Sequence, residues 1–189
     1  MPDDRSIIVL TAPSGAGKTT IAHRVLEERP NLSFSVSATT RDPRPEETDG
    51  RDYHFLSVNE FEEHINDGDL LEYEQVYDGL YYGTLKSEIA EKSVGGGVLL
   101  DIDVKGAINV KKAFGDDALV LFIAPPSVEE LERRLSGRGT ETDADVETRL
   151  NRARMELGMK GEFDAVVIND ELDQAVEETL SHVDRFVQS

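Results

Sequence analysis

The sequence predicts an α/β fold in which a parallel sheet is covered by helices on both faces. Apolar, β-branched runs bounded by turn residues recur along the chain, and amphipathic helical patterns alternate with them. A glycine-rich stretch sits between the first such run and the first such helix. The length, 189 residues with 38% hydrophobic content, suits one compact α/β domain with small lobes attached.

The elements follow in order. "IIVL" at 7–10 opens the sheet, and "TTIAHRVLEER" supplies the first helix. Further buried strands are read at "FSVSA" (34–38), "GVLLDID" (97–103), "ALVLFIA" (118–124) and "DAVVIN" (164–169). "VKGAINVKKAF" is the helix after the third run, and "SVEELERRL" the helix after the fourth, opening on a capping box of Ser127 and Glu130. The last helix, "ELDQAVEETLSHVDRFV", puts Leu172, Val176, Leu180, Val183 and Val187 on one stripe, with Ala175 and Phe186 beside it. Residues 39–52, "TTRDPRPEETDGRD", read as an exposed loop. Between 53 and 85 the pattern changes. "YHFLS" alternates, "SVNEFEEHINDG" carries a capping box (Ser57, Glu60) and an apolar pair (Phe61, Ile65), and "LLEYEQVYDGLYYGT" holds four of the five tyrosines. This reads as a small α+β insertion that encloses a second substrate.

Composition narrows the function. No cysteine is present, which excludes disulfides and thiolate metal sites, and the four histidines have no metal-ligand spacing. No apolar run approaches the roughly 20 residues of a membrane span, and "MPDDRS" does not read as a signal peptide, so a cytoplasmic protein without a membrane partner is expected. A net charge of −19 argues against nucleic acid as a partner. With seven lysines against thirteen arginines, the acidity is read as adaptation to a salt-rich cytosol, where self-repulsion is screened.

The stretch "APSGAGKT" at 12–19 explains the glycines. Gly15 and Gly17 let backbone N–H groups turn inward, those donors form a concave anion site, and the helix starting near Lys18 adds its positive end. Lys18 can reach β- and γ-phosphates, and the Thr19 hydroxyl can ligate Mg²⁺. Ala12 stands where the pattern G-x-x-x-x-G-K-[ST] begins with glycine, a position read as needing a small residue. With a strand before it and an amphipathic helix after it, the motif makes this a P-loop NTPase-type sheet that binds a nucleoside triphosphate. The guanine-reading N-K-x-D of switch GTPases is absent from the sequence, and motors usually have more chain.

"SVSATTRDPRPEETDGRDYHF" resembles the nucleotide-monophosphate-binding segment of guanylate kinases, S-x-T-T-R-x-P-R-x-G-E-x-x-G-x-D-Y-x-F, with Glu46 in place of one glycine. The resemblance continues through "LLEYEQVYDGLYYGT", "LLDIDVKGA", "LFIAPPS", "RGTET" and "VINDELD". It implies transfer of the γ-phosphate of ATP to GMP, and to dGMP, in purine nucleotide metabolism, with Mg²⁺ as cofactor. It implies a core of about 1–33, 86–135 and 160–189, a GMP-binding lobe of about 34–85 and a helical lid of about 136–159. Monomer and homodimer both stay open.

The residues have their own logic. Arg41 and Arg44, stiffened by Pro43 and Pro45, present two guanidinium forks that can grip one phosphate, and Tyr53 and Tyr82 can add hydroxyls. The resemblance assigns these four to the GMP phosphate, Glu72 with Ser37 and Thr84 to the guanine base, Asp103 to a place near GMP, and Asp101 to Mg²⁺ together with Thr19. Ala12, Pro13, Ser14, Gly15, Ala16, Gly17, Lys18, Thr19 and Thr20 are assigned to ATP, as is Asn169 through adenine. Asp101 and Asp103 stand where a buried strand ends, a place at which ligands gather in open α/β sheets. Helix capping competes as a reading for one of the two, and for Asn169. Lys105 stands where many family members have glutamine and either touches a phosphate or pairs with Asp103. Six of the thirteen arginines fall in 133–154. Arg138 and Arg149 match the family's lid arginines, which with Lys18 and Arg41 make up the expected catalytic set, while Gly137 and Gly139 could let the lid move. Arg134, Arg152 and Arg154 read as helix-face salt bridges with nearby acids, and Tyr77 and Tyr81 as possible lobe core. Two other readings remain: a non-catalytic scaffold module, which generally lacks a complete phosphate loop, and a kinase for another monophosphate.

Overall fold

The computed structural model describes residues 7–93, 96–136 and 143–188. Its strands are β1 (Ile7–Thr11), β2 (Ser33–Phe34), β3 (Ala38–Thr39), β4 (His54–Phe55), β5 (Leu70–Tyr77), β6 (Leu80–Leu85), β7 (Val98–Asp101), β8 (Ala118–Ala124) and β9 (Ala165–Ile168). Its helices are α1 (Lys18–Glu28), α2 (Val58–Asp67), α3 (Lys86–Lys92), α4 (Val104–Phe114), α5 (Val128–Ser136), α6 (Asp143–Gly158) and α7 (Leu172–Val187).

The central sheet has the order β2-β7-β1-β8-β9, and every pairing in it is parallel. Alternate residues of each strand feed opposite faces. Ile8 and Leu10 pack with Ile21, Val25, Val176 and Val183 of α1 and α7. Ile7 and Val9 pack with Ile89, Ala107 and Val110 of α3 and α4. Both faces are dry, which is why these strands read as unbroken apolar runs. The parallel order also brings the C-terminal ends of β1 and β7 side by side, with Leu10 opposite Asp101, so the glycine-rich loop and the two aspartates meet at one edge of the sheet.

A second sheet, β4-β3-β6-β5, carries α2 and its own small core of Ala38, Phe61, Leu70 and Tyr81. Phe61 and Tyr81 stack with centroids 5.1 Å apart. The capping box at Ser57 forms in full: Glu60 N–H donates to Ser57 Oγ, and Ser57 N–H donates to Glu60 Oε2 at 2.8 Å.

Four expectations are corrected. The run 34–38 is not one strand. Its start pairs with β7 in the central sheet and its end with β4 and β6 in the second. Between them Val36 N–H donates to the buried Glu88 carboxylate at 3.0 Å, and a backbone donor taken by a side chain ends the ladder. On α7, Val187 is exposed, whereas Thr179 is fully buried; its hydroxyl donates back to the Ala175 carbonyl at 2.7 Å, which satisfies it inside the core. At α5, Glu130 N–H donates to Ser127 Oγ, but the Glu130 carboxylate accepts from Arg133 and Arg134. Thr39 belongs to β3 and is buried, so the exposed loop begins after it. No helix among the described residues is long and apolar enough to cross a membrane.

Candidate active site

The turn after β1 is shaped by two glycines in the left-handed region, Gly15 at φ 88° and Gly17 at φ 91°. Gly17 caps α1 without a side chain, so the first N–H groups of the helix are left for an anion. A Cβ on Gly17 would lie 2.4 Å from Asn169 Nδ2, which donates to the Ala16 carbonyl at 2.7 Å. Asn169 therefore bolts the loop from behind. The N-cap of α7 is Glu171, which removes the capping role read for Asn169. Lys18 Nζ donates to the Ile102 carbonyl at 2.8 Å and is ion-paired with Asp101. Thr19 Oγ1 donates to Asp101 Oδ2 at 2.8 Å. A cavity of about 840 Å³ opens over this loop, walled by residues 12–20 and, across from them, by Arg149 and Arg152 of α6. Arg149 Nη2 donates to Ser14 Oγ at 3.1 Å. Arg138 lies outside the described residues.

A second cavity, of about 880 Å³, lies between the sheets and is lined by Ser37, Tyr53, Glu72, Tyr82, Asp101 and Asp103 among others. Glu72 is buried, and its Oε1 accepts from the buried Thr84 hydroxyl at 2.7 Å. Burial pushes its carboxyl up to about 7, against the Thr84 hydrogen bond that favours the anion. Gly106 makes room for this carboxylate, since a Cβ there would stand 2.5 Å from Glu72 Oε2. Asp103 caps α4, with Gly106 N–H donating to its Oδ1 at 2.8 Å. Burial opposes its ionisation, but hydrogen bonds with Glu74 and Gly106 and the nearby Arg152 and Lys18 hold it below the usual carboxylate range. Glu74 shifts the other way, raised by burial and by its hydrogen bond with Asp103.

Arg41 is not among the residues lining the cavity. Its fork takes both oxygens of Glu47, which lines the cavity, at 2.6 Å each, and its guanidinium carbon sits 4.9 Å from the Tyr53 ring centroid. Arg44 is exposed, and its backbone N–H donates to Glu47 as well, at 2.8 Å. Of the two expected forks, that of Arg41 is thus clamped on a carboxylate of its own loop, while Arg44 reaches the same carboxylate through its backbone.

The two cavities share Lys18, Thr19, Tyr77, Asp103 and Arg152. A glycine loop thus faces a carboxylate-lined pocket across a common wall. The guanylate kinase family model matches residues 4–188. The chain belongs to the guanylate kinase family. It is 63% identical over its whole length to a guanylate kinase of Salinibacter ruber, which it covers completely. It is 48% identical to that of Chlorobium luteolum, over 97% of this chain and 93% of the relative. A crystal structure of guanylate kinase from Anaplasma phagocytophilum superposes with a TM-score of 0.76 at 30% identity, covering 98% of this chain and 87% of that one.

Where the guanylate kinase pattern often has glutamine, Lys105 pairs with Glu74 and not with Asp103, the acid expected as its partner. Tyr81 is lobe core, whereas Tyr77 is exposed at the wall between the cavities. Arg134 makes its expected salt bridge with Glu130 and also donates to the Asn169 carbonyl at 3.1 Å. Arg154 bonds the Asn151 side chain at 3.2 Å, and among the described residues its acidic neighbour is Glu129, whose carboxyl is lowered by hydrogen bonds from its own backbone and Ser127 and, to a lesser extent, by Arg154. Sequence reasoning missed Glu47, Glu74 and the inward position of Arg152. A signal existed for the last: Arg149, Arg152 and Glu156 recur at helical spacing and share one face.

Proposed function

We propose that this chain transfers the γ-phosphoryl group of ATP to GMP, giving ADP and GDP, and accepts dGMP, in purine nucleotide metabolism of the cytoplasm. The observation that carries this reading is the common wall. Two cavities, one over a glycine loop and one ending at Glu72, meet at Lys18 and Thr19.

In this reading residues 12–20 cradle the ATP phosphates, and Asn169 holds that cradle in shape. Glu72, oriented by Thr84, accepts from guanine N1–H and N2–H, a donor pair adenine lacks, and Ser37 adds a hydroxyl. Arg41, Arg44, Tyr53 and Tyr82 receive the GMP phosphate, which draws Arg41 away from Glu47. A GMP phosphate oxygen attacks the γ-phosphorus as the bond to the β-bridging oxygen breaks. The acceptor is already anionic, so no general base is needed. The protein aligns two polyanions, offsets their repulsion and excludes water. Lys18 and the α6 residue Arg149, with Arg138, neutralise charge on the transferred group.

Thr19 and Asp101 offer a hydroxyl and a carboxylate 2.8 Å apart, an all-oxygen pair that suits Mg²⁺ completed by substrate phosphates. They would hold the ion, which when bound neutralises the β- and γ-phosphates. The chain divides in this reading into a core (about 1–33, 86–135, 160–189), a GMP lobe (about 34–85) and a lid (about 136–159).

An ADP-release assay with GMP, dGMP, AMP, UMP and IMP, run at low and high KCl, tests the proposal. GMP and dGMP are expected to turn over at least about a hundredfold better than AMP or UMP, as hydrogen-bond readout allows. Equal rates for all five would end the assignment of Glu72.

A further inference from the structure

The wall common to the two cavities holds two cations, Lys18 and Arg152. Lys18 is engaged on the core side, with Asp101 and the Ile102 carbonyl. Arg152 comes from the opposite side, on α6. Its Nε donates to Glu156 Oε1 at 2.8 Å, one turn along the same helix. Its Nη2 stands 3.6 Å from Asp103 Oδ2, within ion-pair range but too far for a good hydrogen bond. The guanidinium has five N–H donors, and the side chain is 46% exposed, so its outer nitrogens reach open cavity. Arg149, three residues earlier, already touches Ser14 of the glycine loop. One face of α6 therefore carries an arginine to the donor loop and a second to the place where the cavities meet.

Resting on the function proposed above, we propose that Arg152 is a further catalytic residue, contacting the phosphoryl group as it passes between the nucleotides. Its outer nitrogens leave the loose pair with Asp103 for the bridging phosphates, while Glu156 keeps the guanidinium plane in position. The bond made is GMP oxygen to γ-phosphorus, and the bond broken is γ-phosphorus to the β-bridging oxygen. Arg152 stays protonated throughout and supplies only charge and direction. A group at this junction acts on the pair of nucleotides together, and only weakly on either alone.

The test is calorimetric binding of adenosine and guanosine joined 5′ to 5′ by five phosphates, beside GMP alone and ATP alone, with kcat measured in parallel. Arg152→Ala is expected to weaken the joined ligand at least about tenfold and each single nucleotide less than about threefold, and to lower kcat by about 10²–10³, the scale of one lost charge-stabilising donor. Arg152→Lys is expected to recover part of both losses, and Arg154→Ala to behave as the parent protein. Arg152→Ala with parent-like binding and kcat overturns the proposal and leaves a helix-face ion pair. Equal weakening of all three ligands, unrelieved by lysine, overturns it in favour of a structural role. A parent protein that binds GMP and ATP but does not turn them over removes the underlying reading, and this proposal with it.

Discussion

Arg41 and Glu47 are locked together by two hydrogen bonds of 2.6 Å, and the guanidinium lies against the rings of Tyr53 and Phe55. The Arg41 hydrogen bonds and the Arg44 N–H bring the Glu47 carboxyl down to about 2. A depressed acid contributes stability that is fully present above its ordinary value of 4.5 and is lost as pH falls from there through about 2, so the clamp stays closed in the working range. In the proposed reading the acceptor phosphate takes this planar fork. Arg41→Ala is expected to raise KM for GMP by about 10–100-fold while KM for ATP changes less than twofold, and Arg41→Lys to recover little, because an ammonium cannot replace a two-point fork. Steady-state kinetics with each substrate varied in turn decides it.

Glu72 gives the pH prediction. Its carboxyl, held near 7 by burial, has to be ionised to accept two donors from guanine. The kcat/KM for GMP should therefore fall about tenfold per unit below pH 7, while KM for ATP stays flat. The same burial disfavours the folded anion. An acid with a raised folded pKa costs stability that is fully present above about 7 and vanishes below its unfolded value of 4.5. Glu72→Gln should stabilise the free protein by up to about 3 kcal/mol at pH 8 and by nothing at pH 4, while losing GMP use. Denaturant melts at the two pH values check the first part, and a variant no more stable at pH 8 than the parent would contradict it.

What the sequence made legible follows from where the physics is local. "ALVLFIA" and "VKGAINVKKAF" match β8 and α4 residue for residue, since burial on two faces and a helical stripe are both written in neighbouring side chains. "FSVSA" failed because its break is set by Glu88, 52 positions away, which takes the Val36 N–H. The phosphate loop was legible from its own glycines and lysine. Arg152 was not, because its partner Asp103 lies on another element and Glu156 offered a complete local explanation. The sequence does not show that the Asn169 amide closes on the Ala16 carbonyl, because that partner lies 153 positions away.

Lys18 has an ion pair with Asp101 and one backbone acceptor, the Ile102 carbonyl, but its own side chain is not part of a hydrophobic core cluster. Lys18→Ala is expected to leave the circular dichroism spectrum unchanged and to lower kcat by about 10²–10³, the cost of one electrostatic donor at a developing charge. Near-normal turnover in that variant would remove the lysine from the mechanism.

The Gly17–Asn169 contact is a stability lever on the loop itself. Gly17→Ala forces a side chain into φ 91° and into the Asn169 amide. Left-handed backbone and a lost buried hydrogen bond together cost about 2–4 kcal/mol. Asn169→Ala loses only the bond, about 1–3 kcal/mol. Both should raise KM for ATP more than KM for GMP. Because the alanine methyl clashes with the very amide that Asn169→Ala removes, the double variant should be less unstable than the sum of the two, and denaturant titration of all four proteins measures that difference.

The acidity leads to the last prediction. A net charge of −19 repels itself over a screening distance of about 10 Å at 0.1 M salt and about 3 Å at 1 M. Glu63 and Asp67 on α2 and Glu177 and Glu178 on α7 are exposed, so their mutual repulsion is the kind that salt removes. The melting temperature should rise by several degrees between dilute buffer and molar KCl, where about 1 kcal/mol corresponds to roughly 2–4 °C for a chain of this size. Chloride salts also strengthen apolar burial slightly, so the slope alone is not decisive. Replacing those four acids with glutamine separates the effects. If repulsion sets the slope, the variant melts higher than the parent in dilute buffer and gains less from KCl. If it gains as much as the parent, or melts lower in dilute buffer, the acidic surface has no role in salt tolerance.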